Sequence, residues 1–166
     1  ASMLFNSVLY SCTGCIDILH TPNIDLTSVS SPQVTFQVAY RLKSNPALPP
    51  PNWSDSLSVD ISTDCGKTWT NLYYKYGAAL TTIVPPFSTT AFVPTPSNWR
   101  LETINLAAYA TNNNVLLRWK ASSDYENNLY VDDINITGSV GINEYSLDRY
   151  VSVFPNPSSG ILNVHV

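Results

Sequence analysis

Ser56-Leu57-Ser58-Val59-Asp60-Ile61-Ser62, then Thr63-Asp64-Cys65-Gly66-Lys67, then Thr68-Trp69-Thr70-Asn71-Leu72-Tyr73-Tyr74-Lys75, is the stretch that decides the fold. In the first segment Leu57, Val59 and Ile61 alternate with serines and Asp60. An extended chain with that period has one apolar side and one polar side. The middle segment is polar and carries a glycine, as a tight turn requires. The third is extended again, around Trp69, Leu72 and Tyr73. The whole reads as a β-hairpin with one face turned to a core.

The same period recurs on both sides of the hairpin. Val34, Phe36, Val38 and Tyr40 alternate with polar or small residues, and Ile16, Ile18 and His20 form an earlier strand ending at Pro22. Trp99 to Leu106, Val115 to Ala121 and Leu129 to Thr137 add three more strands. Between them lie turn-forming runs: 45–52, Pro85-Pro86, 94–98 and Asn112-Asn113-Asn114. Only Leu106 to Ala110 has the makings of a helical turn. Many short strands separated by turn signals mean an all-β sandwich or barrel.

Composition narrows the class. Charged residues make up 12% of the 166, about half the usual share. Ser, Thr and Asn supply the polarity, which suits the solvent side of strands in an extracellular protein. A net charge of −4 and no basic run exclude a nucleic-acid partner, which demands a positive face. No apolar stretch is long enough to span a membrane as a helix. The first residues lack a charged region followed by an apolar one, so a secretory signal is expected upstream of Ala1.

Three cysteines, Cys12, Cys15 and Cys65, leave free thiols or one disulfide open. The pair Cys12 and Cys15 has the spacing of half a zinc site, but the second half is missing. Catalytic residues are scarce: His20 and His165 are the only histidines, and no H-E-x-x-H, G-x-S-x-G or phosphate-binding loop occurs. A non-catalytic chain is expected.

In Leu129-Tyr130-Val131-Asp132-Asp133-Ile134-Asn135-Ile136, strict alternation with Ile134 and Ile136 inward also turns Asp132 inward and Asp133 outward. An inward carboxylate must be paired or bound to metal. Calcium, which takes carboxylate and carbonyl oxygens, makes Asp132 the leading ligand candidate. A carboxylate bonded to backbone or an arginine is the other reading. The opposed directions of Asp132 and Asp133 also exclude a pair flanking a glycosidic bond.

The turn of the deciding hairpin fits S-x-D-x-G-x-T-W and resembles the Asp-box of sialidases and reelin-type repeats. Its residues are Ser62, Asp64, Gly66, Thr68 and Trp69. Turn chemistry accounts for each: Asp64 accepts turn amides, Gly66 permits positive φ, and Trp69 returns to the core. The box is structural even in sialidases.

The order of Asp17 to Leu26, the Phe36 strand, this hairpin, Trp99 to Glu102 and Val131-Asp132-Asp133-Ile134 resembles the MAM-like and reelin-like jelly-roll modules of large secreted bacterial proteins. The resemblance covers most of 1–137. It implies a jelly-roll β-sandwich of two antiparallel sheets, with a structural calcium at the position of Asp132. Asp17 and Asp55, near strand starts, are the further candidates to complete that site. The family's module begins with one more strand, so an edge strand is expected before Ala1.

After a linker, 138–149, the chain resumes at 150–166. There Val153-Phe154-Pro155-Asn156-Pro157-Ser158-Ser159-Gly160 resembles the opening of a type IX secretion C-terminal sorting domain. The signature residues are Pro155, Asn156, Pro157 and Gly160; an ordinary turn between strands is the plainer reading of them. The sorting resemblance implies contact with the secretion machinery and a place at the outer cell surface. It also suggests a parent such as a secreted metalloprotease of the pappalysin or cytophagalysin type. The expected function is an accessory module for adhesion or scaffolding, binding an extracellular protein. The alternative is a carbohydrate-binding module that stacks glycans on Trp53, Tyr73, Tyr74, Tyr76 or Tyr125.

Overall fold

The computed structural model describes residues 2–7, 13–43 and 54–140, with the backbone of 152–154 and 163–165. Two four-stranded antiparallel sheets form a jelly-roll sandwich. The first has the order β1 (Met3–Phe5), β8 (Leu129–Val140), β3 (Val29–Tyr40), β6 (Arg100–Asn105). The second has the order β2 (Cys15–His20), β7 (Leu116–Ser123), β4 (Ser56–Ser62), β5 (Thr70–Tyr76). One turn of helix, α1 (Gly77–Leu80), follows β5, and short 3-10 turns occupy Pro96–Asn98 and Ala107–Tyr109. Strands β9 (Ser152–Phe154) and β10 (Asn163–His165) pair with each other. The signature residues Pro155, Asn156, Pro157 and Gly160 lie outside the described residues.

Period-2 alternation builds the core. Val34, Phe36, Val38 and Tyr40 of β3 and Leu57 and Val59 of β4 are all fully buried. Leu117 and Trp119 of β7 close the layer. Phe36 joins the sheets through edge-on contacts, 5.7 Å from Trp119 and 5.5 Å from Tyr73. Such ring pairs add about 0.5–1.5 kcal/mol beyond burial.

The two long seams of the sandwich are closed differently. At the β5–β6 seam, Lys75 of β5 reaches both carboxylate oxygens of Glu102 on β6, at 2.7 and 2.9 Å. Arg100 Nε donates to Glu102 Oε1 at 2.7 Å. At the β1–β2 seam, β1 holds only the register pairs Met3–Val131, Leu4–Tyr130 and Phe5–Leu129. A crevice of about 600 Å³ opens there beside Leu4, Ile16 and Ile18.

Candidate functional site

The connection from α1 to β6, residues 81–99, folds over the outer face of the first sheet. Buried amides fasten it there. The Phe92 N–H donates to Asn127 Oδ1 at 2.7 Å, and Asn127 Nδ2 donates to the Thr90 carbonyl at 2.9 Å. The Tyr130 hydroxyl donates to the Phe92 carbonyl at 3.0 Å. Phe92, Tyr130 and Ala39 form a second small apolar cluster, against which Ile83 and Trp99 pack. Reciprocal bonds between Thr95 and Asn98 shape the turn that delivers Trp99.

Between this connection and the sheet lies a groove of about 470 Å³. Gln37 and Asp132 belong to its strand side, with Asp133 beside them, while Pro94, Thr95, Pro96 and Trp99 come from the connection. Gln37 and Asp132 are register partners on β3 and β8. The Gln37 Oε1 is buried and has no hydrogen-bond partner.

Asp132 therefore sits on the opposite face from the one strict alternation assigns. The β3–β8 register shifts between Thr35 and Gln37, and Asp133 takes φ +47°, which marks a β-bulge. Val131 and Ile134 both pack on the core, with the bulge between them, so Asp132 points outward into the groove. Its Oδ1 accepts the Asp133 N–H at 2.8 Å.

Asp132, Asp17 and Asp55 are not brought together. Asp17 is exposed on β2, beside the β1–β2 crevice. Asp55, just before β4, is 1% exposed, and its Oδ1 accepts the N–H groups of Asp124 and Glu126. Its Oδ2 is buried and has no hydrogen-bond partner. Burial pushes the Asp55 carboxyl up to about 6. Glu126, fully buried, is close enough for its charge to add to that rise, and it accepts the Lys43 N–H. Burial, then the charges of Asp55 and Glu126, likewise hold the Tyr40 hydroxyl well above the ordinary tyrosine range. Among the described residues no three His, Cys, Asp or Glu side chains gather as a metal-holding group. Asp55 is a candidate from the sequence and Glu126 is not, and the burial of both is hidden there because no periodicity marks a loop carboxylate as buried.

At the hairpin turn, Asp64 organises the chain. Its Oδ1 accepts the Thr68 N–H at 2.9 Å and the Ser62 hydroxyl at 2.7 Å, and its Oδ2 accepts the Thr68 hydroxyl at 2.6 Å. Ser62 Oγ accepts the Gly66 N–H, and the Trp69 indole N–H donates to the Gly66 carbonyl. Gly66 has φ +83°. The bonds from Thr68 and Ser62 lower the Asp64 carboxyl to about 2. Trp69 does not return to the core as expected. It lies on the outer face of the second sheet, where the Arg118 guanidinium stacks 4.2 Å from its ring. His20 packs 5.5 Å from the same ring, and Asp60 holds Arg118 at 2.9 Å.

Cys15 is disulfide-bonded and Cys65 is a free, exposed thiol. Of the stacking candidates, Tyr73 packs against the core, whereas Tyr74 and Tyr76 are 58% and 57% exposed on the outer face of β5. Tyr125 is 40% exposed, and Trp53 lies outside the described residues.

Solved structures align with the chain at TM-scores below 0.5. The K3 cleaved adhesin domain of Lys-gingipain from Porphyromonas gingivalis W83 is 22% identical, with TM-score 0.49 over 76% of this chain. The match spans 66% of that adhesin domain, just under two thirds. A carbohydrate-binding module specific for non-crystalline cellulose, CBM28, is 12% identical, with TM-score 0.48 over 84% of this chain and 74% of that one. The module CBM27-1 of Caldicellulosiruptor saccharolyticus, solved with mannohexaose, is 13% identical, with TM-score 0.42 over 80% and 70% of the two chains. No curated protein sequence matches the chain. The profile of Reelin subrepeat B matches residues 3–137, the span of both sheets up to the last three residues of β8, and the chain belongs to that family.

Proposed function

We propose that this chain is a non-catalytic binding module, working in adhesion or scaffolding within a larger secreted, cell-surface bacterial protein. Its contact surface is the groove beneath residues 81–99. The observation that carries the reading is Gln37 Oε1, a buried acceptor without a partner, beside an outward-facing Asp132 and an aromatic wall. A buried acceptor left unpaired costs about 1–3 kcal/mol, which a ligand donor recovers on binding. Retention of the chain on immobilised fibronectin, collagen and laminin, compared with Trp99→Ala and Gln37→Leu, tests it. Loss of retention in both variants is expected; retention equal to that of the unaltered chain would move the contact surface elsewhere.

A carbohydrate-binding module is the second reading. The exposed pair Tyr74 and Tyr76, with ring centres 5.7 Å apart on β5, favours it. Affinity gels of cellulose, mannan and xylan discriminate: retardation removed by Tyr74→Ala with Tyr76→Ala supports a glycan face. Free migration in every gel removes the reading.

Calcium, expected as a structural ion, is best served at Asp55. An unpaired buried carboxylate oxygen, with a second buried carboxylate close enough for its charge to be felt, suits a hard divalent cation. Asp55 and Glu126 would hold the ion together with carbonyl or water oxygens, and its charge would stabilise both carboxylates as anions. Calcium should then raise Tm, and Asp55→Asn should remove the rise. A rise lost instead in Asp132→Ala would place the ion in the groove, and a Tm indifferent to calcium and chelator would overturn the proposal.

The resemblance of 150–166 to a sorting domain supports export by type IX machinery, and a metalloprotease of the pappalysin or cytophagalysin type as parent. Fusing the complete C-terminal region of the parent to a reporter tests the first point. A reporter that stays in the periplasm would refute it.

A further inference from the structure

The groove carries a charge that no described residue around it balances. Asp132 and Asp133 both line it, and no lysine, arginine or histidine is among its lining residues. Neither carboxylate joins a salt bridge with a described residue, in contrast to Asp60 and Glu102, which are both paired. The other polar side chain on the strand side is Gln37, whose acceptor Oε1 has no partner. Negative charge and an unpartnered acceptor therefore mark the strand side, and the indole of Trp99 lies on the other side with Pro94, Thr95 and Pro96. An anion would be repelled here. A neutral sugar, with as many acceptors as donors, would leave the two negative charges uncompensated.

Resting on the reading of this groove as the contact surface, we propose that it receives the guanidinium of an arginine side chain presented by a protein partner. A guanidinium is planar, permanently charged and rich in donors. It matches a carboxylate and an amide oxygen side by side while stacking on an aromatic ring. The pairing of Arg118 with Asp60 over the Trp69 ring shows the carboxylate and the aromatic ring of this combination acting together inside this fold. In the groove the carboxylate, the amide oxygen and the indole are present, and the cation comes from outside. An ammonium meets the charge requirement but not the stacking one, so arginine is favoured over lysine.

The test is an NMR titration of the whole chain with three probes: the blocked tripeptide acetyl-Gly-Arg-Gly-amide, its citrulline analogue, and the neutral hexasaccharide cellohexaose. Citrulline keeps the shape of arginine and removes its charge. Saturable shifts of the Trp99 indole and Gln37 amide resonances are expected with the arginine peptide alone, weakening as salt is raised. Asp132→Asn should weaken the affinity about tenfold or more, the loss of one charge-assisted hydrogen bond. Asp133→Lys, at an exposed position, should abolish it by supplying a competing cation. Equal shifts with citrulline would overturn the requirement for charge. Shifts with cellohexaose but not arginine would overturn the cation while keeping the groove as contact surface. Silence toward all three probes would remove both inferences.

Discussion

Replacing Glu102 by glutamine takes one proton's worth of charge out of the β5–β6 seam and changes almost nothing else. The Glu102 side chain is 11% exposed, while Lys75 and Arg100 are each 33% exposed. Glutamine keeps the shape and one acceptor oxygen, so packing is preserved and the electrostatic contribution is isolated. Three charge-assisted hydrogen bonds, two from Lys75 and one from Arg100, lose their anionic acceptor. Exposed ion pairs contribute about 0–1 kcal/mol, and breaking a buried one costs about 3–5. A nearly buried anion with partly solvated cations falls between, at about 2 kcal/mol. For a chain of this size that corresponds to a Tm lower by about 4–8 °C. Arg100 also donates to the Thr81 carbonyl, so it stays in place and repels Lys75 once the anion is gone.

The pH dependence has a definite sign. Burial alone would raise the Glu102 carboxyl, but the hydrogen bonds from Lys75 and Arg100 outweigh it and hold the group below the ordinary glutamate range. A depressed carboxylate contributes stability above its unfolded pKa and loses it as pH falls through the folded one. The difference between the two proteins should therefore be full at neutral pH and vanish in acid. The assay is urea unfolding at pH 7 and at pH 3, extended by a double-mutant cycle with Lys75→Met. A Glu102→Gln variant within about 0.5 kcal/mol of the unaltered chain at pH 7, the scatter of neutral surface changes, would refute the reasoning.

Asp64 should titrate near 2 by carboxyl NMR, so its contribution is present above the ordinary aspartate range and lost as pH falls through that value. Thr68→Val removes the Thr68 hydroxyl bond and should return the carboxyl toward its ordinary value. A Cβ on Gly138 would lie 2.3 Å from Val29 Cγ1 and 3.0 Å from the Ser30 carbonyl oxygen, so Gly138→Ala should destabilise by about 1–3 kcal/mol in chemical unfolding. Phe36→Ala, which empties a fully buried site between Trp119 and Tyr73, should cost about 3–5 kcal/mol in the same measurement.

The sandwich was legible because seven of its strands alternate strictly enough to expose their period. Leu57, Val59 and Ile61 did so without ambiguity, and all three lie in the core. β1 escaped notice because three residues are too few to show a period. The position of Asp132 departs from strict alternation for a sharper reason. Alternation is a one-dimensional count, and a bulge adds one residue to it without any mark in composition. Asp132 and Asp133 are chemically the same, so the sequence does not say which of them the bulge absorbs. Aromatic residues usually go to the core, which is where the sequence pattern puts Trp69, whereas Arg118 offers it a stacking partner on the outer face. The groove could not be read at all. It depends on where residues 81–99 lie, and the amides that fix them, Asn127 and Asn128, come from a loop distant in sequence.

The unequal seams have a mechanical consequence. A load applied at the amino end of the sandwich acts on a strand held by three register pairs at the margin of its sheet. Such a strand peels pair by pair, because the force meets its bonds in succession. The opposite margin is riveted by an ion triad that spans both sheets, and it shares a load among several bonds at once. Tension would therefore strip β1 and bare the backbone edge of Leu129 to Val131 while the buried layer around Phe36 and Trp119 stays shut. Under such a load the module would yield first at this one margin.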